Sequence, residues 1–183
     1  MTDAKGRDRL DHLWRRGREF LGSATAIMGG GMTWVSERHL VSAISNAGGF
    51  GVLACGSMGP QALAAEIVAA RTLTDRPFGV NLINVHPELE ALTGVCRDLA
   101  VSHVVIAGGM PSGATIQRLK DGGAKVLAFP PTAVIARRLV RQGVDALIIE
   151  GSEAGGHIGP VSTTVLAQEI LPEVRDVPVF VAG

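Results

Sequence analysis

A short run rich in Val, Ile and Leu, closed by Gly or Pro and followed by a stretch with helical spacing, recurs along nearly the whole chain. Runs of this kind fall at residues 25–29, 51–55, 79–83, 103–107, 125–129, 146–150 and 177–182. Helical patterns lie between them at about 35–46, 60–72, 88–99, 112–121, 133–142 and 163–175. Ser112 is placed to cap a helix through its side-chain oxygen, and Gly48, Gly122 and Gly143 suit the left-handed position after a last helical turn. Strict alternation of strand and helix implies right-handed parallel crossovers, which leaves two architectures: an open doubly wound sheet or a closed barrel. A dinucleotide-binding sheet calls for Gly-x-Gly-x-x-Gly at the first strand-to-helix turn. Here that turn reads Met28-Gly29-Gly30-Gly31-Met32, which does not fit. A barrel places its chemistry in the segments after its strands, and those segments hold the unusual residues of this chain.

Composition narrows the function. At 183 residues the chain suits one domain, and 46% hydrophobic against 19% charged residues is the balance of a buried parallel sheet rather than of disorder. Lys+Arg and Asp+Glu both number 17, which leaves no basic footprint for nucleic acid and points to a small-molecule partner. No apolar run approaches the roughly 20 residues that span a bilayer, and residues 1–20 are rich in Arg and Asp, so a cytoplasmic location and no membrane contact are expected. Cys55 and Cys96 are too few and too far apart for a disulfide scaffold or a metal site. The chain divides into a polar lead, residues 1–24, and a strand–helix region, residues 25–183.

Four post-strand segments stand out: residues 27–32, residues 78–81, residues 106–112 and Glu150-Gly151-Ser152-Glu153-Ala154-Gly155-Gly156-His157-Ile158-Gly159. All would open onto one rim. Glycines let the backbone approach a flat aromatic ligand or a phosphate, although each loop taken alone fits a tight turn equally well. His157 is the foremost candidate for acid–base work, because imidazole titrates near working pH and a histidine after Gly-Gly just past a buried strand is poor core filler. His12, His39, His86 and His103 lack such a setting and read as surface or helix-end residues. Glu150 and Glu153, only three apart at a loop entrance, need not converge as a hydrolase pair, and Gly-x-Ser-x-Gly is absent.

Taken with Glu-Ala-Gly-Gly-His at residues 153–157, the segments Gly31-Met32-Thr33-Trp34-Val35, Ser45-Asn46-Ala47-Gly48-Gly49-Phe50-Gly51, Asp75-Arg76-Pro77-Phe78-Gly79-Val80-Asn81 and Val177-Pro178-Val179-Phe180-Val181-Ala182-Gly183 form a pattern. In this order they resemble the FMN-dependent nitronate monooxygenase (2-nitropropane dioxygenase) family and its relative, the flavin-type enoyl-acyl-carrier-protein reductase. The resemblance implies an α/β fold, a TIM-type (β/α)8 barrel, incomplete at about seven of eight strands, since the family continues past Gly183 with an eighth strand and a helical region. It implies that Met28, Gly29 and Gly30 lie against the isoalloxazine of FMN and that Asn81 hydrogen-bonds it. Gly108, Gly109, Glu150, Gly155, Gly156 and Gly183 would border the cofactor, and His157 would be the active-site base.

The substrate branch reads both ways. Phe129-Pro130-Pro131-Thr132, residues 75–81 and residues 153–159 lean toward the enoyl reductases, which use NAD(P)H; the Ala26-Ile27-Met28 opening and the polar lead lean toward the nitronate monooxygenases. The expectation is nitronate oxidation with oxygen, the enoyl thioester being the alternative. The chain alone is expected to hold FMN weakly, either gaining activity as a homo-oligomer or with a partner, or standing as an inactive barrel fragment.

Overall fold

The computed structural model describes residues 4–183. In chain order the elements are α1 (Ala4–Leu21), β1 (Met28–Gly29), α2 (Arg38–Asn46), β2 (Phe50–Ala54), α3 (Pro60–Leu73), β3 (Phe78–Ile83), α4 (Leu89–Asp98), β4 (His103–Ala107), α5 (Gly113–Asp121), β5 (Lys125–Ala128), α6 (Ala133–Arg141), β6 (Ala146–Glu150), α7 (Thr163–Ile170) and β7 (Val179–Ala182). The strands pair in sequence order, β1 to β7, and every pairing is parallel. The sheet curls into an incomplete TIM-type (β/α)8 barrel with seven of the eight strands, β1 and β7 standing at its two edges.

Alternation along each strand divides the core. Leu53, Val80, Leu82, Val104, Ile106, Val126, Leu147 and Ile149 face outward and pack against helix residues such as Leu63, Ile67, Leu92, Ile116, Leu139 and Leu166. Phe50, Val52, Val105, Leu127, Ala146 and Ile148 face the barrel interior. Both faces are covered, which is why β2 is buried at every position and reads as an unbroken apolar run.

The element boundaries differ from the sequence reading where side chains offer the backbone another partner. The first strand is only Met28–Gly29 rather than 25–29. The second helix starts at Arg38, not near residue 35. Ser36 Oγ donates to Gly30 O at 2.7 Å and accepts from Met32 N–H at 3.0 Å, so residues 30–36 form a tied loop. Glu37 then caps α2 by accepting from His39 and Leu40 N–H. The final helix stops at Ile170 rather than 175, just before Pro172, which has no N–H to continue it. Ser112 caps α5 as expected, accepting from Thr115 N–H at 3.0 Å. Gly48 and Gly143 adopt left-handed φ of 93° and 95°, but after α5 that role passes from Gly122 (φ −83°) to Gly123 (φ 84°).

The polar lead, for which no element was expected, forms α1, and its last residue Leu21 is fully buried in the interior cluster. His103, expected at the surface, is buried inside the barrel at the start of β4. Its Nε2 lies 2.9 Å from Phe20 O and its Nδ1 3.0 Å from Ser102 Oγ, while Lys125 Nζ donates to the same Phe20 carbonyl at 2.5 Å. The rings of Phe20 and Phe50 meet the imidazole edge-on at 5.3 and 4.8 Å. Helix α1 thus closes the N-terminal end of the barrel. No helix among the described residues is long and apolar enough to cross a membrane.

Candidate functional site

Because all strands run the same way, the segments that follow them gather at one end of the sheet, opposite the α1 closure. Met28 is half-buried and packs against the interior cluster from β1. Gly29 turns the other way: a β-carbon there would fall 2.5 Å from Ile44 Cδ1 of α2, so a side chain at this position would have to displace the end of Ile44. Gly30, one residue on, has open space where a side chain would stand. Gly31 presses on Asn81, whose Cβ would lie 2.6 Å from an added methyl.

Asn81 sits inside β3, paired in register with Ala54 and Val105, and is 6% exposed. Its Nδ2 donates to Val105 O at 3.2 Å, and its Oδ1 has no hydrogen-bond partner among the described residues. After β4, Gly108 and Gly109 adopt left-handed φ of 76° and 106°, which only glycine takes freely, and Asn84 Nδ2 ties this turn by donating to Met110 O at 3.3 Å.

The loop after β6 carries the histidine. Glu150, the last residue of β6, is half-buried; burial raises its carboxyl above the ordinary value, and the nearby positive charge of His157 pulls it back down. His157 is exposed, and a β-carbon at Gly155 or Gly156 beside it would meet nothing within 4 Å, so the backbone there is open. Gly183, past β7, has φ 156° and lies against Thr163 at the start of α7. His157 therefore stands at the same end of the sheet as Met28 and Asn81.

Large apolar side chains are exposed around this rim: Met32, Trp34, Val85, Met110 and Ile158. Trp34 holds φ 68°, a left-handed conformation that a bulky residue adopts only under local constraint. Two features lie away from the rim. A groove of about 610 Å³ between α1 and β7, lined by Leu13, Trp14, Gly17, Phe180 and Val181 among others, marks the open edge of the sheet. Cys55 and Cys96 are buried, and desolvation pushes their thiols up to about 11 and about 12, which keeps them protonated and inert.

Sequence reasoning singled out four post-strand segments, passed over Gly56 and Gly59 after β2, and missed what holds the loops in place. Ser36, Gly31 and Thr163 do so through partners distant in the chain, and no local pattern announces them.

The chain spans about half the length of the curated relatives it matches. It is 37% identical over 171 residues to a 5-hydroxy-7a-methyl-1-oxo-octahydro-1H-indene-4-carboxyl-CoA dehydrogenase of Mycobacterium tuberculosis, covering 90% of this chain and 47% of that one. It is 28% identical to a nitronate monooxygenase of Paraburkholderia phytofirmans, covering 100% of this chain and 61% of that one. Among solved structures it superposes on FabK from Thermotoga maritima with a TM-score of 0.88 and 40% identity, covering 92% of this chain and 53% of FabK. The model of the nitronate monooxygenase family matches residues 18–183, and the chain belongs to that family.

Proposed function

We propose that this chain forms the flavin-facing part of an FMN-dependent oxidoreductase, with His157 as the proton-transferring base and an alkyl nitronate as substrate. The observation that carries the reading is convergence: an exposed imidazole, a buried carboxamide with a free acceptor and glycine faces open to space stand at one rim although their positions run from Gly30 to His157. These residues fit a flat ring. Side chains at Gly30, Gly155 or Gly156 would fill the cradle, and Asn81 Oδ1 is placed to accept from a ring N–H. Met28 would supply an apolar floor, Gly108 and Gly109 a backbone border, and Glu150 and Gly183 the far side of the same rim.

When bound, FMN supplies the electron transfer and the reaction with oxygen. The chain's own residues do the rest. His157 takes the proton from the carbon beside the nitro group, or receives the substrate already deprotonated and pairs with its negative charge in the protonated form. Glu150, half-buried behind it, favours the imidazolium once formed. The exposed Met32, Trp34, Val85 and Ile158 would cover the alkyl part of the substrate and exclude water.

A thioester is the second reading, and one observation favours it: identity to the carboxyl-CoA dehydrogenase is 37%, against 28% for the nitronate monooxygenase. On that reading NAD(P)H is the reductant and an enoyl thioester the substrate. The test is a pair of assays on the FMN-loaded protein. Nitronate-dependent oxygen consumption that disappears in H157A supports the first reading; thioester-dependent NAD(P)H oxidation without nitronate turnover replaces it with the second. Neither turnover in a protein that retains flavin absorbance would refute both. The cytoplasm and a small-molecule partner, with or without self-association, complete the proposal.

A further inference from the structure

The loop that carries His157 is closed at its base. Gly159 N–H donates to Gly151 O at 3.0 Å and Ser152 N–H donates to Val161 O at 2.9 Å, so the outgoing and returning arms are drawn together directly after β6. Neither arm has room for a side chain at this neck. A methyl on Gly151 would run into Thr163 and the Glu153 carboxylate, and one on Gly159 into the carbonyl of Glu150.

From the neck, Glu153 reaches across to the first residue of α7. Its Oε2 accepts from Thr163 N–H at 2.8 Å and from Thr163 Oγ1–H at 2.9 Å. Ser162 occupies the capping position of that helix but makes no side-chain capping bond; its hydroxyl is paired with Thr164 Oγ1 at 3.0 Å instead. The cap is therefore supplied from the histidine loop. A carboxylate at a helix N-terminus is favoured by the free N–H groups and the dipole, and the Thr163 hydrogen bonds hold the Glu153 carboxyl below its ordinary value. Helix α7 is a firm anchor, since Leu166 and Ile170 are buried in the outer core.

We propose that Glu153 is a positioning residue: its carboxylate clamps the His157 loop to the N-terminus of α7 and so fixes where the imidazole stands over the rim. The proposal rests on the reading of His157 as the base, and it deepens that reading by naming what holds the base in place. The Glu153 side chain is exposed and belongs to neither core cluster, so its removal disturbs the loop without emptying the core. Glycine at 155 and 156 gives the loop no rigidity of its own, which leaves the neck and the clamp as its constraints.

The experiment compares wild type, E153A, E153Q and H157A by amide hydrogen exchange, thermal midpoint and, in the FMN-loaded protein, steady-state turnover. In E153A the Ser152, Gly159 and Thr163 amides are expected to exchange about tenfold faster, the size of a capping loss, with the midpoint nearly unchanged and kcat lowered more than KM. E153Q, whose amide oxygen still accepts from Thr163, restores protection and kcat. Faster exchange at Thr163 alone, with Ser152 and Gly159 unaffected, means an ordinary helix cap and overturns the proposal; so does failure of E153Q to restore. Full turnover in H157A overturns the base reading instead, and leaves the exchange result on E153A to stand or fall separately.

Discussion

Acid should loosen this fold through His103. Phe20 O can only accept, so His103 Nε2 carries the hydrogen; Nδ1 lies 3.0 Å from the Ser102 hydroxyl, which donates to Phe78 O at 3.3 Å. Protonation would put a positive charge on a buried ring beside the ammonium of Lys125. Burial accordingly lowers the His103 pKa from 6.5 to about 4; the Phe20 carbonyl and Asp145 oppose the shift, while Lys125 adds to it. A base whose folded value is depressed binds fewer protons folded than unfolded. Its contribution is therefore fully present above pH 6.5, declines as pH falls through the interval, and is lost below about 4. At 1.36 kcal/mol per pH unit the interval is worth about 3 kcal/mol, or roughly 6 to 12 °C in midpoint for a chain of this size. Carboxylates add their own acid dependence, so the measurement is a comparison: urea or thermal unfolding of wild type and H103Q at pH 7.5 and pH 4.5. H103Q is expected to be less stable than wild type at neutral pH and to lose less on acidification. An equal loss in both proteins would refute the assignment of this dependence to the buried imidazole.

Other consequences are direct. G31A puts a methyl 2.6 Å from Asn81 Cβ, so it should cost about 1 to 3 kcal/mol by overpacking and weaken flavin binding measured by fluorescence titration. G30A meets no neighbour and should leave stability unchanged while weakening the same titration. L21A truncates a fully buried side chain and should cost about 2 to 5 kcal/mol in urea unfolding. H157N should lower turnover by about 100- to 10,000-fold with no change in midpoint, because the side chain is exposed.

The strand–helix rhythm was legible because it is written in periodicity, which neighbours in the chain enforce. β4 and β6 fall where the apolar runs predict them, at His103–Ala107 and Ala146–Glu150, and the other strands shift at their ends. What the sequence concealed depends on partners far along the chain. The lead showed too little apolar character to announce a helix, since α1 is held chiefly by its last residues, where Leu21 is buried and Phe20 meets a histidine and a lysine more than 80 positions away. His103 looked like a surface residue because a polar side chain opening a strand usually is one. Only the curl of the sheet turns it inward toward Phe20 and Phe50. At the rim, glycine marked turns but not their reasons: Gly29 packs against Ile44 of α2 and Gly31 against Asn81, while Gly30, Gly155 and Gly156 leave their faces free.

These particulars divide the barrel into ends with different physical work. At the N-terminal end, aromatic rings, a neutral histidine and a lysine close on one helix-terminal carbonyl, which accepts from both the imidazole and the ammonium. At the C-terminal end, Asn81 is tied through Nδ2 to Val105 O yet keeps Oδ1 free, and the same end carries the exposed imidazole of His157 and the half-buried carboxyl of Glu150. A group that is fully engaged contributes to stability and has little left for a ligand, whereas a group that water can reach adds little to stability and keeps a hydrogen-bonding position for a ligand. Substitutions at His103 and Leu21 should therefore move the unfolding midpoint, and those at His157 and Gly30 should move binding or turnover while the midpoint stays where it is.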